Sequence, residues 1–322
     1  MFYSLALGLI FFLVSLQGPE RSPEAPLEAP FPQIQSSQRH CLTNLSEEVR
    51  SFAEKLIKRL QGDLKERVPK EYIENLFCSP NLSYSPEVML KSLTWKEAKL
   101  PYHQFLELER LRRAQQFLEE NIEFLSSLEN RFKVDKEVIV AIFLVETDLG
   151  RKTGHHSVLN TFFSLALSGE EDLFKRYIVD NPEISLENET IRRRWERRAR
   201  WAYEELLYFL EISYRNNWDP LSIKGSVFGA FGFPQFVPKS YVNYGYDWDG
   251  DGKVDLYNIP DALASIANYL HKEGYRREGD YVHKKRVIMK YNISEPYAET
   301  VLKIADFLKK NFSPFPHGQR RD

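Results

Sequence analysis

Hydrophobic positions in this chain recur mostly at helical spacing. Phe52, Leu56, Ile57, Leu60 and Leu64 fall on one face of a 3.6-residue repeat, as do Leu111, Phe117, Leu118, Ile122 and Leu125. Residues 206–212 continue another amphipathic helix, and residues 262–272 a further one. Between them, 138–145 is an almost unbroken apolar run, Val-Ile-Val-Ala-Ile-Phe-Leu-Val, that ends in Glu146. Its length would suit a buried strand, but Asp135 as an N-cap candidate and Gly150 as a stop predict a buried helix over 136–149. Strand signals are few, the best being 282–289, and no internal repeat is present. The pattern predicts a mainly α fold with a minor β element.

The two ends of the pattern differ from its middle. Residues 1–17 are apolar and uncharged, and Pro19, Glu20 and Arg21 break the run. That is short for a membrane span and has the length of a signal-peptide core, although no Lys or Arg precedes it and no A-x-A cleavage site follows. Export is expected, with residues 1–17 acting as a signal peptide or as an N-terminal anchor that tethers the chain to the membrane. Residues 18–44 hold Pro19, Pro23, Pro26, Pro30 and Pro32 and read as a tether that cannot bury a core. One folded domain is expected over 45–322.

Composition narrows the partners. Lysine and arginine total 44 against 46 acidic residues, a net charge of −2, which gives no indication of a nucleic-acid partner. The one conspicuous basic cluster is Arg192, Arg193, Arg194, Arg197, Arg198 and Arg200, interleaved with Trp195 and Trp201. Glu189, Glu196, Glu204 and Glu205 lie close enough to pair with it, so it reads as a solvated helix face. Aromatic residues reach 14%, which suits stacking on sugar rings, though most such rings belong in cores. The two cysteines, Cys41 and Cys78, would form one disulfide in an oxidising compartment or stay as buried thiols.

Two clusters carry chemistry. A carboxyl at the end of eight apolar residues loses hydration, which raises a carboxyl pKa, as a general acid near neutral pH requires. Glu146 is therefore the candidate acid/base residue. Asp148 points about 200° around a helix from it, so the two cannot flank one bond. The second cluster, Asp247-Trp248-Asp249-Gly250-Asp251-Gly252, opens an EF-hand-type loop. Asp247, Asp249 and Asp251 sit at positions 1, 3 and 5, Lys253 offers its carbonyl at 7, Asp255 stands at 9, and Asn258 replaces the usual bidentate Glu at 12. A structural calcium ion is expected there, and no cofactor for the chemistry.

Several ordered motifs resemble the membrane-bound lytic murein transglycosylases of type B. They are Val-Glu-Thr-Asp-Leu-Gly-Arg over 145–151 with Gly154, Lys224-Gly225-Ser226, Gly229-Ala230-Phe231-Gly232, the run 235–241, the stretch 247–255, Ala267-Asn268-Tyr269 and Tyr291-Asn292, with Leu100-Pro101-Tyr102 upstream. The resemblance spans roughly residues 72–307. It implies a lysozyme-like fold and an envelope enzyme, periplasmic or cell-envelope associated. The implied reaction cleaves the bond between N-acetylmuramic acid and N-acetylglucosamine in peptidoglycan glycan strands and leaves a 1,6-anhydro end. One Glu serves as acid and then base, and Ser226, Gln235, Tyr269, Tyr291 and Asn292 bind the glycan. Pro234 stands where the family commonly has Gly, and residues 180–200 read as an insertion. Rival readings are a lysozyme-type hydrolase on the same fold and a non-catalytic, calcium-stabilised cell-wall-binding protein.

Overall fold

The computed structural model describes residues 41–95 and 101–311. The expected leader, nearly all of the expected tether and Leu100 lie outside them. Packing begins before Leu45: Leu42 is 3% exposed, and Cys41 is joined to Cys78 by a disulfide.

Thirteen helices form among the described residues. The first three, α1 (Glu47–Leu64), α2 (Lys70–Phe77) and α3 (Glu87–Thr94), are followed by a 3-10 turn at Tyr102–Leu106. Next come α4 (Leu108–Glu120), α5 (Ile122–Phe132), α6 (Lys136–Thr147), a two-residue strand β1 (His156–Ser157), α7 (Val158–Leu167) and α8 (Glu171–Ile178). Then follow α9 (Glu189–Arg215), β2 (Lys224–Gly225), α10 (Pro238–Tyr244), α11 (Ile259–Lys272), α12 (Tyr281–Tyr291) and α13 (Glu295–Asn311). The minor β element is the antiparallel pair β1–β2, with His156 opposite Gly225 and Ser157 opposite Lys224.

Helical stripes close two cores. Helices α1 to α3 pack with α7 to α10 in the first, and α4 to α6 pack with α11 to α13 in the second. In α1, Val49, Ala53, Leu56, Leu60 and Leu64 supply the inward stripe at spacings of three to four residues. The α6 helix has no outward face: residues 139–144 are all fully buried, and α13, α4 and α11 surround it. Tyr269 and Tyr291 touch both cores.

Four expectations change. The single helix read through 111–125 is two, because Asn121 (φ −115°) breaks it and returns its side-chain amide to the Phe117 carbonyl at 2.9 Å. Residues 282–289 are helical. Asp280 caps α12 by accepting the His283 N–H at 2.8 Å, and the buried pair Val287 and Ile288 does not alternate as a strand would. Residues 189–200, expected to precede the helix that carries Trp201, are the first half of that helix, α9, capped by Asn188 through the amides of Thr190 and Ile191. Finally, Asp135 precedes α6 without capping it; its carboxylate accepts from Tyr275 Oη at 2.7 Å and Lys284 Nζ at 2.6 Å.

The disulfide joins residues 37 apart, and loop closure on that scale removes denatured-state entropy. Replacing Cys41 and Cys78 together by serine is expected to lower unfolding free energy by about 3–4 kcal/mol. Denaturant titration of both forms measures it; equal midpoints and slopes would show that the bridge does not support the first core.

Candidate functional site

The α6 helix delivers its last turn into the seam between the cores. Glu146 is half-buried there, while Val145 and Thr147 on either side are buried. Tyr297, 1% exposed on α13, donates its hydroxyl to Glu146 Oε1 at 2.6 Å. Burial and then the charge of Glu146 push the Tyr297 hydroxyl well above the usual tyrosine pKa, so it stays a proton donor. Its ring stands edge-on to Tyr102. After Glu146 the chain turns sharply: Asp148 and Leu149 both adopt left-handed backbone (φ 53° and 60°) and Gly150 follows at 85°. Asp148 is held by an ion pair with Arg113, which directs its carboxylate away from any pairing with Glu146.

A second segment is folded against that turn. Residues 225–236 make two consecutive tight turns, closed by the bridges Gly225–Phe231 and Phe231–Phe236. Ser226 Oγ accepts the amides of Phe228 at 3.3 Å and Ala230 at 3.1 Å, which leaves its hydroxyl hydrogen to donate outward. Gln235 has φ 50°, an uncommon conformation for a residue with a Cβ. Its side-chain amide donates to the carbonyls of Thr153 at 3.1 Å and Gly232 at 2.9 Å, so its oxygen is the atom that can accept from a ligand. The segment docks on α6 through Thr147 Oγ1, 3.4 Å from the Phe233 carbonyl, and through the Phe143 and Phe233 rings. Gly154 is required where β1 meets β2: a Cβ there would lie 2.1 Å from the Gly225 carbonyl oxygen.

Tyr269 and Tyr291 form a wall rather than a row of hydroxyls. Their rings lie 4.7 Å apart and both touch Phe236. The Tyr269 hydroxyl donates to the Lys290 carbonyl and that of Tyr291 to the Pro234 carbonyl, each at 2.6 Å. Burial, then the Glu146 charge, raises the Tyr291 pKa well above its ordinary value, so the Tyr291 hydroxyl stays protonated. Asn292 ends α12, and its backbone carbonyl accepts the Ser294 amide at 2.7 Å. Thus Gln235, Tyr269 and Tyr291 meet around Pro234 and Phe236, Glu146 faces Tyr291 and Tyr297, and Ser226 joins them through the 225–236 ladder.

The acidic loop lies at the outer end of this arrangement. Carboxylate oxygens of Asp247, Asp249 and Asp251 lie within 4.8 Å of one another. Asp247 accepts the amides of Gly250 and Gly252, which curls the loop around that point. Asp255 Oδ1 instead accepts the Tyr257 amide at 2.8 Å, and Asn258 turns its amide nitrogen, not its oxygen, to Asp249 at 3.1 Å. Asp261, buried at the start of α11, takes the amides of Trp248 and Asp255 at 2.8 and 2.9 Å. The Leu256 carbonyl accepts the Phe233 amide at 2.8 Å, so the loop is bonded directly to the segment bearing Gln235.

Sequence reasoning missed three of these groups: Tyr297, Asp261 and Glu205. A signal existed for Tyr297, since it falls on the buried stripe Tyr297, Val301, Ile304 and Leu308, where a phenol needs a partner. Glu205, assigned to a solvated face, is 2% exposed and accepts the Lys239 amide of α10 at 2.8 Å. Burial pushes its pKa up to about 7, against hydrogen bonds from Lys239 and Trp201. It anchors the chain four residues beyond Gln235.

Comparison with known proteins agrees with this architecture. The family described as the transglycosylase SLT domain matches residues 51–285. Over 151 residues the chain is 33% identical to the membrane-bound lytic murein transglycosylase B of Escherichia coli K12, covering 47% of this chain and 34% of that protein. The chain therefore spans about a third of the length of that curated relative. The fold is similar to soluble lytic transglycosylase SltB1 from Pseudomonas aeruginosa (TM-score 0.64, 22% identity, 81% of this chain and 98% of that one). It is also similar to the Escherichia coli lytic transglycosylase Slt35 in complex with calcium (TM-score 0.63, 20% identity, 80% and 93%). The expected lysozyme-like, mainly α architecture is the one these structures share.

The Glu205 carboxyl makes stability depend on pH. Its folded pKa is raised above the unfolded value of 4.5, so its contribution is whole below pH 4.5 and is lost as pH rises through about 7. Relative to Glu205→Gln, the native chain should lose roughly 2–3 kcal/mol between pH 5 and 8. Paired melting curves over that range measure the difference; a flat difference would mean Glu205 titrates as an ordinary carboxyl.

Proposed function

The chain belongs to the transglycosylase SLT domain family, and from that premise we propose that it is an exported enzyme cleaving peptidoglycan glycan strands, with Glu146 alone as acid and base. The observation that carries this reading is the 2.6 Å hydrogen bond from buried Tyr297 to a carboxyl emerging at the end of a fully buried helix. Tyr297 fixes the orientation of the Glu146 carboxyl, and it is this carboxyl that exchanges a proton with the substrate. Glu146 gives its proton to the glycosidic oxygen as the bond from muramic C1 breaks, and N-acetylglucosamine departs as an alcohol. The muramic C6 hydroxyl oxygen then bonds to C1, and its proton returns to Glu146. No water is consumed, and the product ends in a 1,6-anhydro ring. Ordinary glycosidases use two carboxylates; engagement of Asp148 with Arg113 supports a one-carboxyl route.

Ser226, Gln235, Tyr269, Tyr291 and Asn292 are proposed to bind the glycan. Ser226 offers a donor, Gln235 an acceptor held rigid by its own backbone contacts, and the two tyrosines a ring surface of the kind sugar faces stack on. Export and association with the cell envelope rest on residues 1–17. Among the described residues, no helix is long and apolar enough to cross a membrane.

The acidic loop fits a calcium ion. Asp247, Asp249 and Asp251 with the Lys253 carbonyl are the proposed core ligands, an oxygen-only set suited to calcium. Asp255 would contribute from the next turn, and Asn258 after rotating its amide oxygen inward. When bound, the ion would supply charge neutralisation to three crowded carboxylates. The Leu256–Phe233 hydrogen bond would make that gain felt in the glycan site.

Four outcomes follow. Glu146→Gln should lower turnover of purified peptidoglycan by about two to four orders of magnitude with melting temperature unchanged; retention of a tenth of native turnover would exclude Glu146 as the acid. Tyr297→Phe should lower kcat roughly tenfold with little change in KM, as expected for losing one hydrogen bond to a charged group. Mass spectrometry of the products distinguishes the anhydro ends expected here from the reducing ends of a hydrolase, or from no cleavage at all. Calcium should raise the melting temperature of metal-stripped protein, and Asp249→Ala should abolish the rise; indifference to calcium and chelator alike would reduce the loop to an acidic turn.

A further inference from the structure

A second concavity lies away from the seam, between α1, the turn joining α7 to α8, and the middle of α9. Its volume of about 430 Å³ is within the range of small-ligand sites. Ala199, Arg200 and Tyr203 face it from α9. At about 100° per residue these three lie roughly half a turn around the helix from Arg198, Trp201 and Glu205. That other face meets residues 228–239, with the Arg198 guanidinium 5.7 Å from the Phe228 ring and Glu205 on the Lys239 amide. The concavity is therefore separate from the site of Glu146.

Small residues make its floor. The turn is drawn onto α9 where a Cβ on Gly169 would come within 2.7 Å of Ala199 Cβ, and Trp195 Nε1 donates to the Ser168 carbonyl at 2.7 Å. Buried Leu56 and Ala166 complete an apolar base. The rim is charged and open to solvent, with Lys55, Arg59 and Arg200 against one carboxylate, Glu170. Arg59 is held in place, its guanidinium 3.8 Å from the ring of Tyr203, while its ion pair with Asp63 is long, at 3.9 Å. Tyr203 is itself fixed, 6% exposed with its hydroxyl donated to Asp63 at 2.6 Å. Arg200 has Glu196 and Glu204 four residues away on either side, the spacing at which helix ion pairs form, yet it pairs with neither. Lys55 and Arg59, also four apart, are like charges that repel. Neither Lys55 nor Arg200 forms an ion pair among the described residues.

We infer that this concavity is a binding site for a phosphodiester group. A tetrahedral phosphate offers oxygens in several directions, which suits cations reaching in from two helices; a carboxylate is planar, and one guanidinium fork satisfies it. Glu170 on the same rim disfavours ligands of higher negative charge, and so favours a singly charged diester over a phosphate monoester. The apolar floor suits the carbon skeleton of such a ligand. Phospholipid headgroups and their water-soluble glycerol analogues share this chemistry. Lys55 and Arg59 stand on the first helix after the apolar run of residues 1–17, so a headgroup bound there would meet the described element nearest in sequence to the expected anchor. The inference does not depend on the glycan reading.

The test reads how fast an amine-acylating reagent modifies Lys55 in the full-length chain, with Lys58, three residues on and outside the concavity, as internal reference. Saturating glycerophosphoglycerol at low salt should slow acylation of Lys55 roughly tenfold and leave Lys58 unchanged, because an ammonium held in a charge-assisted hydrogen bond has no free amine to react. The protection should fade as ionic strength rises. Glycerate, a carboxylate of the same charge, should protect far less. Arg200→Glu, at an exposed position, should abolish protection with the melting temperature unmoved, and Arg200→Lys should retain most of it. Glu146→Gln should leave it intact, which separates this site from the glycan site. Vesicles distinguish the sources. Protection by phosphatidylglycerol vesicles but not by vesicles of a phosphate-free glycolipid identifies a membrane headgroup, and protection by the soluble diester alone identifies a free ligand. Equal reaction of Lys55 and Lys58 throughout, equal protection by the two kinds of vesicle, glycerate acting as well as the diester, or protection surviving Arg200→Glu would overturn the site.

Discussion

Burial of α6 on every side is the constraint from which the rest of the molecule follows. A helix that is apolar all round has no stable position except inside other helices, and α4, α11 and α13 exist in this arrangement to enclose it. Its start is secured by a buried knot of charge. Glu129, Asp135 and Glu137 are neutralised by Lys136, Arg277 and Lys284, which binds α12 to the α5–α6 junction. Its end cannot continue into the core, so the chain reverses through two left-handed non-glycine residues, a conformation retained only where neighbours enforce it. Glu146 is the last helical position before the reversal with access to the seam between the cores. Glu146 is where it is because a wholly buried helix has one exit.

One face of α9 supports the opposite side of the seam. Arg194, Arg198, Trp201 and Glu205 follow one another at spacings of three and four residues, so they share a stripe. Trp201 lies against Phe162, beneath the turn closed by Ser226, and Glu205 holds the first turn of α10 beyond Gln235. Both turns that present glycan-binding candidates are thus fixed from below by the same rigid element, and their separation is set by helical pitch rather than by loop length.

The mainly α architecture was legible because burial writes itself into periodicity. The stripes of α1 and α11 repeat at helical spacing, and the solid apolar run of α6, long enough for a strand, reads as a helix once Gly150 is taken as its stop. Glu146 was legible for the same reason, as the first polar group after that run. What stayed hidden depends on contacts distant in the chain. Glu205 and Arg198 belong to a segment dense in charge, and nothing local separates buried Glu205 or half-buried Arg198 from Arg193, which is exposed. The helix at 281–291 was obscured by Val282, Val287 and Ile288, β-branched residues whose preference yields to the cap at Asp280 and to ion pairs from Lys284 and Lys285. The hydroxyls of Tyr269 and Tyr291 are spent on the Lys290 and Pro234 carbonyls, pairings between separate segments that no local pattern announces.

The hydrogen bond from the Phe233 amide to the Leu256 carbonyl and the Tyr257 hydroxyl on the Lys224 carbonyl stitch the acidic loop to the 224–236 ladder at both its margins. Side-chain packing closes the same joint, since a Cβ on Gly232 would come within 2.4 Å of Leu256 Cβ. The loop is therefore not a portable cartridge. Grafting a tighter ion-binding sequence from another protein over 247–258 would import a foreign backbone path at 256 and 257 and disturb the ladder, whatever the affinity of the graft. Engineering or evolutionary exchange at this place has to move the loop and residues 224–236 as one inherited block.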